Sequence, residues 1–142
     1  MNYGSIIKYL REEKELTQMD LSKLLKIDHS QYSHYEVEDR TIPIKHLNAL
    51  CNYFEISLDY VFGFTDINIY DDYKKQINSK LSGKRLKEFR KENKLTLIKL
   101  GEILNCSYGT IAGYESGRYL CKKYNISADY LLGKIDSPKY LK

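Results

Sequence analysis

Apolar residues fall at helical spacing from the start of the chain. Ile6, Ile7 and Leu10 share one face of a first helix that ends in the charged run Arg11 to Glu15. Thr17 offers an N-cap to a second helix, and Asp20, three residues on, favours its positive start. Leu21, Leu24 and Leu25 form its apolar stripe, and Lys26-Ile27 breaks it. Asp28 offers the next cap, with Gln31 spaced to complete a capping box. In the third helix Tyr32 and Tyr35 lie on one side, while His29, Ser30, Ser33 and His34 lie towards the other. Pro43 suits the first turn of a fourth helix carrying Leu47, Leu50, Cys51 and Phe54. Ser57 caps a short fifth helix, which Gly63 ends. No segment sustains the alternation of a strand, so the pattern predicts an all-α chain.

The chain also repeats itself. Leu16-Thr17 returns as Leu95-Thr96, and Tyr35-Glu36 as Tyr114-Glu115, each displaced by 79 residues. The ends match at a displacement of 70, Ile56 to Gly63 returning as Ile126 to Gly133. On this alignment the second copy has lost nine residues between Glu115 and Cys121, which shortens its fourth helix. A solenoid needs at least three units, so two joined small domains fit better. The expected organisation is one domain over residues 1–65, a polar linker over 66–80, either extended or a short helix, and a second domain over 81–142.

Charge divides these copies. Residues 1–66 hold 7 Lys or Arg against 11 Asp or Glu, a net −4, whereas residues 81–142 hold 13 against 6, a net +7. The basic half suits a polyanion. The three cysteines, Cys51, Cys106 and Cys121, form no Cys-x-x-Cys pair, which argues against a disulfide framework or zinc site and fits a reducing cytoplasm. The first residues lack a basic segment followed by an apolar one and no apolar run is of membrane length, so neither a secretion signal nor a membrane span is expected. There is also no phosphate loop, metal-ligand cluster or Ser/His/Asp constellation, so no enzyme, cofactor or small-molecule ligand is expected.

The first copy resembles the DNA-binding domain of the phage Cro and lambda-type repressor family, the XRE-like helix-turn-helix proteins. The resemblance rests on Leu10-Arg11, Leu16-Thr17-Gln18, Leu21, Leu24, Ile27, Tyr35-Glu36, Arg40 and Pro43. The second copy is similar through Phe89-Arg90, Leu95-Thr96, Leu100, Ile103-Leu104, Ile111 and the run Tyr114 to Gly117. The resemblance implies two tandem lambda-repressor-like bundles of about five helices, the second with a shortened fourth helix. It also implies that the third helix of each enters the major groove of double-stranded DNA. That assigns helix two to about residues 17–25 and the recognition helix to 29–36, with counterparts starting at Thr96 and near Ser107. In the family, residues at the positions of Arg11 and Glu36, and of Arg90 and Glu115, form structural ion pairs.

The exposed face of the recognition helix makes His29, Ser30, Ser33 and His34 the candidate base readers. Gln18, at the positive start of helix two, suits a phosphate, as do the cations Lys26 and Arg40. In the second copy Lys84, Arg85, Lys87, Arg90, Lys91 and Lys94 crowd the first helix, and Lys99 follows on the second. Its readout looks poor: Tyr108, Gly109, Ala112 and Gly113 replace the four candidate readers, with Thr110 nearby and Leu97 in place of Gln18. The expectation is a division of labour, with sequence preference in the first copy and sequence-tolerant phosphate affinity in the second. The leading function is a repressor-like transcriptional regulator, as a homodimer, with a regulatory protein, or alone. The alternative is a protein-interaction module, antitoxin-like or docking a co-regulator, with generic DNA affinity.

Overall fold

The computed structural model describes residues 2–104 and 111–139. Among these residues the structure is helical: α1 (Tyr3–Glu13), α2 (Gln18–Leu25), α3 (His29–Val37), α4 (Ile44–Phe54), α5 (Leu58–Phe62), α6 (Ser79–Glu92), α7 (Leu97–Leu104), α8 (Tyr114–Tyr124) and α9 (Ala128–Leu131). The caps show why these helices start and stop where they do. Thr17 Oγ1 accepts from the Asp20 amide at 3.1 Å and the Asp20 carboxylate accepts from the Thr17 amide at 2.8 Å, a complete capping box. Ser57 and Ser127 cap α5 and α9 with a single bond each, their hydroxyls accepting from the Tyr60 and Tyr130 amides at 2.9 and 3.1 Å. Asp28 stands at the N-cap of α3 but its side chain makes no capping bond, and Gln31 donates to the Tyr35 hydroxyl instead of closing a box.

The repeat reads differently in space. α6 packs on α9 as α1 packs on α5, α7 on α8 as α2 on α4, and α8 on α9 as α4 on α5. Buried pairs keep the displacement of 79 through α7, as in Leu21 with Leu100 and Leu25 with Leu104. They keep the displacement of 70 from α8 onwards, as in Leu50 with Leu120 and Cys51 with Cys121. α8 therefore corresponds to α4, and both have 11 residues. The fourth helix of the second half is not shortened. Eighteen residues separate Leu25 from Ile44, but nine separate Leu104 from Tyr114, so the deletion falls where the first half holds α3. The match of Tyr114-Glu115 to Tyr35-Glu36 is coincidental. Tyr114 opens α8, its ring 4.4 Å from Tyr3 and 5.0 Å edge-on to Phe62.

The halves share one core, which runs from Tyr3 through the α5–α9 contact to Leu132. At its centre two fully buried aspartates cap each other's helices. Asp129 accepts from the amides of Leu58 and Asp59 at 3.1 and 2.7 Å. Asp59 accepts from the Ala128 amide at 2.7 Å and from the hydroxyls of Ser127 and Tyr70 at 2.5 and 2.8 Å. Each carboxylate thus meets the positive end of the opposite helix. Burial and the Asp59 charge push the Asp129 carboxyl well above the usual range, against the pull of the backbone amides and Lys134.

Residues 66–78 contain no helix. They are tied down rather than slack: Asn48 and Asn52 both donate to the Lys75 carbonyl, and the Lys74 amide donates to that of Lys134. Lys134 itself is fully buried and donates to Asn48 Oδ1 and the Tyr73 hydroxyl. Burial pushes its ammonium down to about 8, although the Asp129 charge opposes this.

Asp129→Ala leaves two buried amides without acceptors and removes the tie between the halves. It is expected to lower the unfolding free energy in urea by about 2–4 kcal/mol. The parent chain should melt in a single transition, since both halves share the core; two separate transitions would contradict that. A second prediction concerns pH. An unfolded lysine holds its proton to near 10.5, whereas folded Lys134 releases it near 8. In that window the unfolded chain binds the extra proton, so this site's contribution to stability rises with pH. The stability of the parent minus that of Lys134→Met should therefore grow by about 2–3 kcal/mol from pH 7 to 10. A flat difference in urea titrations across that range would show that the ammonium is not held in a desolvated site.

Candidate nucleic-acid interface

Lys26-Ile27-Asp28 turn the chain from α2 into α3, with Lys26 left-handed at φ 58°. Gly4 lets α1 approach α3 closely, since a Cβ there would lie 2.3 Å from the Glu36 carbonyl oxygen. Across this contact Arg11 and Glu36 form a two-pronged ion pair, Nε to Oε2 at 2.7 Å and Nη2 to Oε1 at 3.1 Å. Arg11 Nη1 also donates to the Leu16 carbonyl at 2.8 Å, and Glu36 accepts further from Tyr32 at 2.6 Å and Gln18 at 3.1 Å. Burial alone would raise the Glu36 carboxyl, but the bonds from Arg11, Tyr32 and Gln18 outweigh it and hold the group below its ordinary value. One buried carboxylate thus fixes α1, α2 and α3 together, as the ion pair implied by the resemblance requires.

The arrangement continues to the surface. Glu36 can only accept, so Gln18 turns its amide nitrogen inward and its carbonyl outward, where it lies 3.1 Å from His29 Nε2. A neutral His29 then carries its proton on Nε2 and leaves Nδ1 as an acceptor. His29 and Ser30, at the start of α3, are exposed. Ser33 is half-buried and donates to the Ser30 carbonyl at 2.8 Å. His34, with its side chain 33% exposed, turns back to Asp39, Nδ1 to Oδ1 at 2.7 Å. Lys26 in the turn and Arg40 beyond α3 are exposed cations at its two ends.

The second half departs from its sequence reading. Arg90 donates to the Leu95 carbonyl at 3.0 Å, as Arg11 does to Leu16, but it makes no pair with Glu115. Glu115 lies in the first turn of α8, near Glu38, whose carboxyl is raised by burial and by the Glu115 charge. Ala112 and Gly113 are not on a helix; they lead into α8. Arg85 is buried, donating to the Tyr130 and Ile135 carbonyls at 2.6 and 2.7 Å, so it is withdrawn from the surface cations. Lys84, Lys87, Lys91, Lys94 and Lys99 remain exposed, Lys99 beside Glu102 at 3.9 Å. Tyr108 and Thr110 lie outside the described residues.

Sequence reasoning passed over Val37. It is 70% exposed at the end of α3, on the face of Ser30, Ser33 and His34. The available signal was an apolar residue one step past the buried stripe of Tyr32, Tyr35 and Glu36. Its methyls form an apolar spot on an otherwise polar exposed face. Among the described residues no helix is long and apolar enough to cross a membrane, and no group of His, Cys, Asp or Glu could hold a metal ion.

A short helix, a tight turn and a second helix with an exposed polar start, clamped by a buried ion pair, together make a helix-turn-helix. Comparison with known proteins agrees. A family model described as a helix-turn-helix domain matches residues 4–66. The chain is 31% identical over 87 residues to YobD, an uncharacterized HTH-type transcriptional regulator of Bacillus subtilis (strain 168), covering 61% of this chain and 70% of that protein. No solved structure matches significantly. The chain belongs to the XRE-like helix-turn-helix family.

Proposed function

We propose that the chain is a sequence-specific, repressor-like transcriptional regulator that inserts α3 into the major groove of duplex DNA and acts in the cytoplasm. The observation that carries the reading is the hydrogen-bonded line from Arg11 through Glu36 and Gln18 to His29. It holds the exposed start of α3 rigid, and a reader fixed before binding loses less conformational freedom on docking. His29 and Ser30 read base edges. His34 and Ser33, already engaged within the protein, shape the groove-facing surface. With its side-chain amide turned inward to Glu36, Gln18 meets a phosphate through the backbone amide at the positive start of α2, and Lys26 and Arg40 neutralise phosphates at the two ends of α3. The exposed lysines of α6 and α7 add affinity without sequence preference.

A protein-docking module with generic DNA affinity is the second reading. The acidic balance of residues 1–66 and the nine-residue deletion between α7 and α8 favour it. The two readings separate in one set of titrations by fluorescence anisotropy. With a duplex selected from a random pool, His29→Ala should cost about 1–3 kcal/mol of affinity and relax the motif at one position. Arg40→Ala should weaken all duplexes alike and reduce the salt slope by about 1. If the chain discriminates no duplex from a scrambled one, the docking module is the function.

A further inference from the structure

The contact between the halves has a symmetry that the sequence repeat alone does not disclose. Pro43 and Gly113, equivalent at the displacement of 70, face each other in an isolated antiparallel bridge. Its two hydrogen bonds are mirror statements of each other: the Ile44 amide donates to the Ala112 carbonyl at 2.8 Å, and the Tyr114 amide to that of Ile42 at 3.2 Å. The aspartate caps repeat the relation, Leu58 to Asp129 at 3.1 Å and Ala128 to Asp59 at 2.7 Å. Equivalent residues bonding to each other in both directions define a two-fold axis, the hallmark of an isologous dimer interface. A head-to-tail repeat would give each bond in one direction only.

We infer that this chain is its own dimer, and that it binds as one chain to a non-palindromic site with a single base-reading half. The inference rests on the DNA-reading function proposed above. The face of the first half that lies on this two-fold is covered: Ile42, Leu58, Asp59 and Phe62 are buried beneath the second half and are not open to a second copy. Covalent attachment makes that occupancy independent of concentration. The second half cannot return a matching reader, because nine residues stand between α7 and α8 where eighteen stand between α2 and α4. Operators are palindromic where a protein two-fold presents two equal readers. Here the two-fold carries one reader, so nothing selects the second half-site by sequence.

Selection of duplexes from a random pool by the full chain, followed by sedimentation of the complex, tests this. The expected result is one contiguous block without inverted symmetry, bound by one chain. Placing that block as an inverted repeat one helical turn apart should add no more than about a twofold gain per bound chain. An inverted-repeat motif, occupied cooperatively by two chains, overturns the inference and leaves the DNA-reading function standing. Recovery of no motif overturns the function itself, and the inference with it.

Discussion

The architecture depends on two carboxylates that sit at the wrong helix. Asp59 and Asp129 each lie in the first turn of one short helix and bond the start of the other. A helix of four or five residues has little stability of its own. Its free amides and positive end require a partner, and each half supplies the other's. The cost of burying two carboxyl groups close together is offset by five donors: three backbone amides and the hydroxyls of Ser127 and Tyr70. Removing either acid would leave the opposite helix start unsatisfied in a dry interface, so the halves stand or fall as a unit.

A third carboxylate does a different task with the same physics. Glu36 is buried with four donor groups around it, from Arg11, Tyr32 and Gln18. Because it can only accept, every neighbour must turn a donor inward, and that orientation passes through Gln18 to the surface at His29. The polar character of the exposed start of α3 is thus fixed from the core outward. The second half keeps the arginine's bond to the following loop but lacks the acid that would complete the clamp. Its exposed α7 start carries Leu97 and Ile98 where the first half has Gln18 and Met19.

The all-helical class and the cap at Thr17 were legible in the chain because each is set within a few residues, whereas the family and the Arg11–Glu36 pair, 25 residues apart on two helices, were reached only through the resemblance carried by residues such as Leu10-Arg11 and Tyr35-Glu36. Where the deletion falls was not legible. A Tyr-Glu pair at Tyr114 imitates the one at Tyr35, and identity of two letters outweighed the register of buried positions. In space the register decides, because Leu120 and Cys121 can fill the place of Leu50 and Cys51 only if α8 replaces α4. Arg85 misled for a related reason: in a basic run every cation looks solvated, and only the carbonyls of Tyr130 and Ile135 show that this one is internal.

The sequence by itself determined that these residues form helices, that two stretches resemble each other, and that the front half carries a polar-faced third helix. Periodicity and caps act over a few residues, so a linear reading can reach them. Tertiary structure alone decided how the halves meet. A two-fold contact joins residues 70 apart through backbone bonds and buried acids, and no local preference encodes which way round two similar units will face.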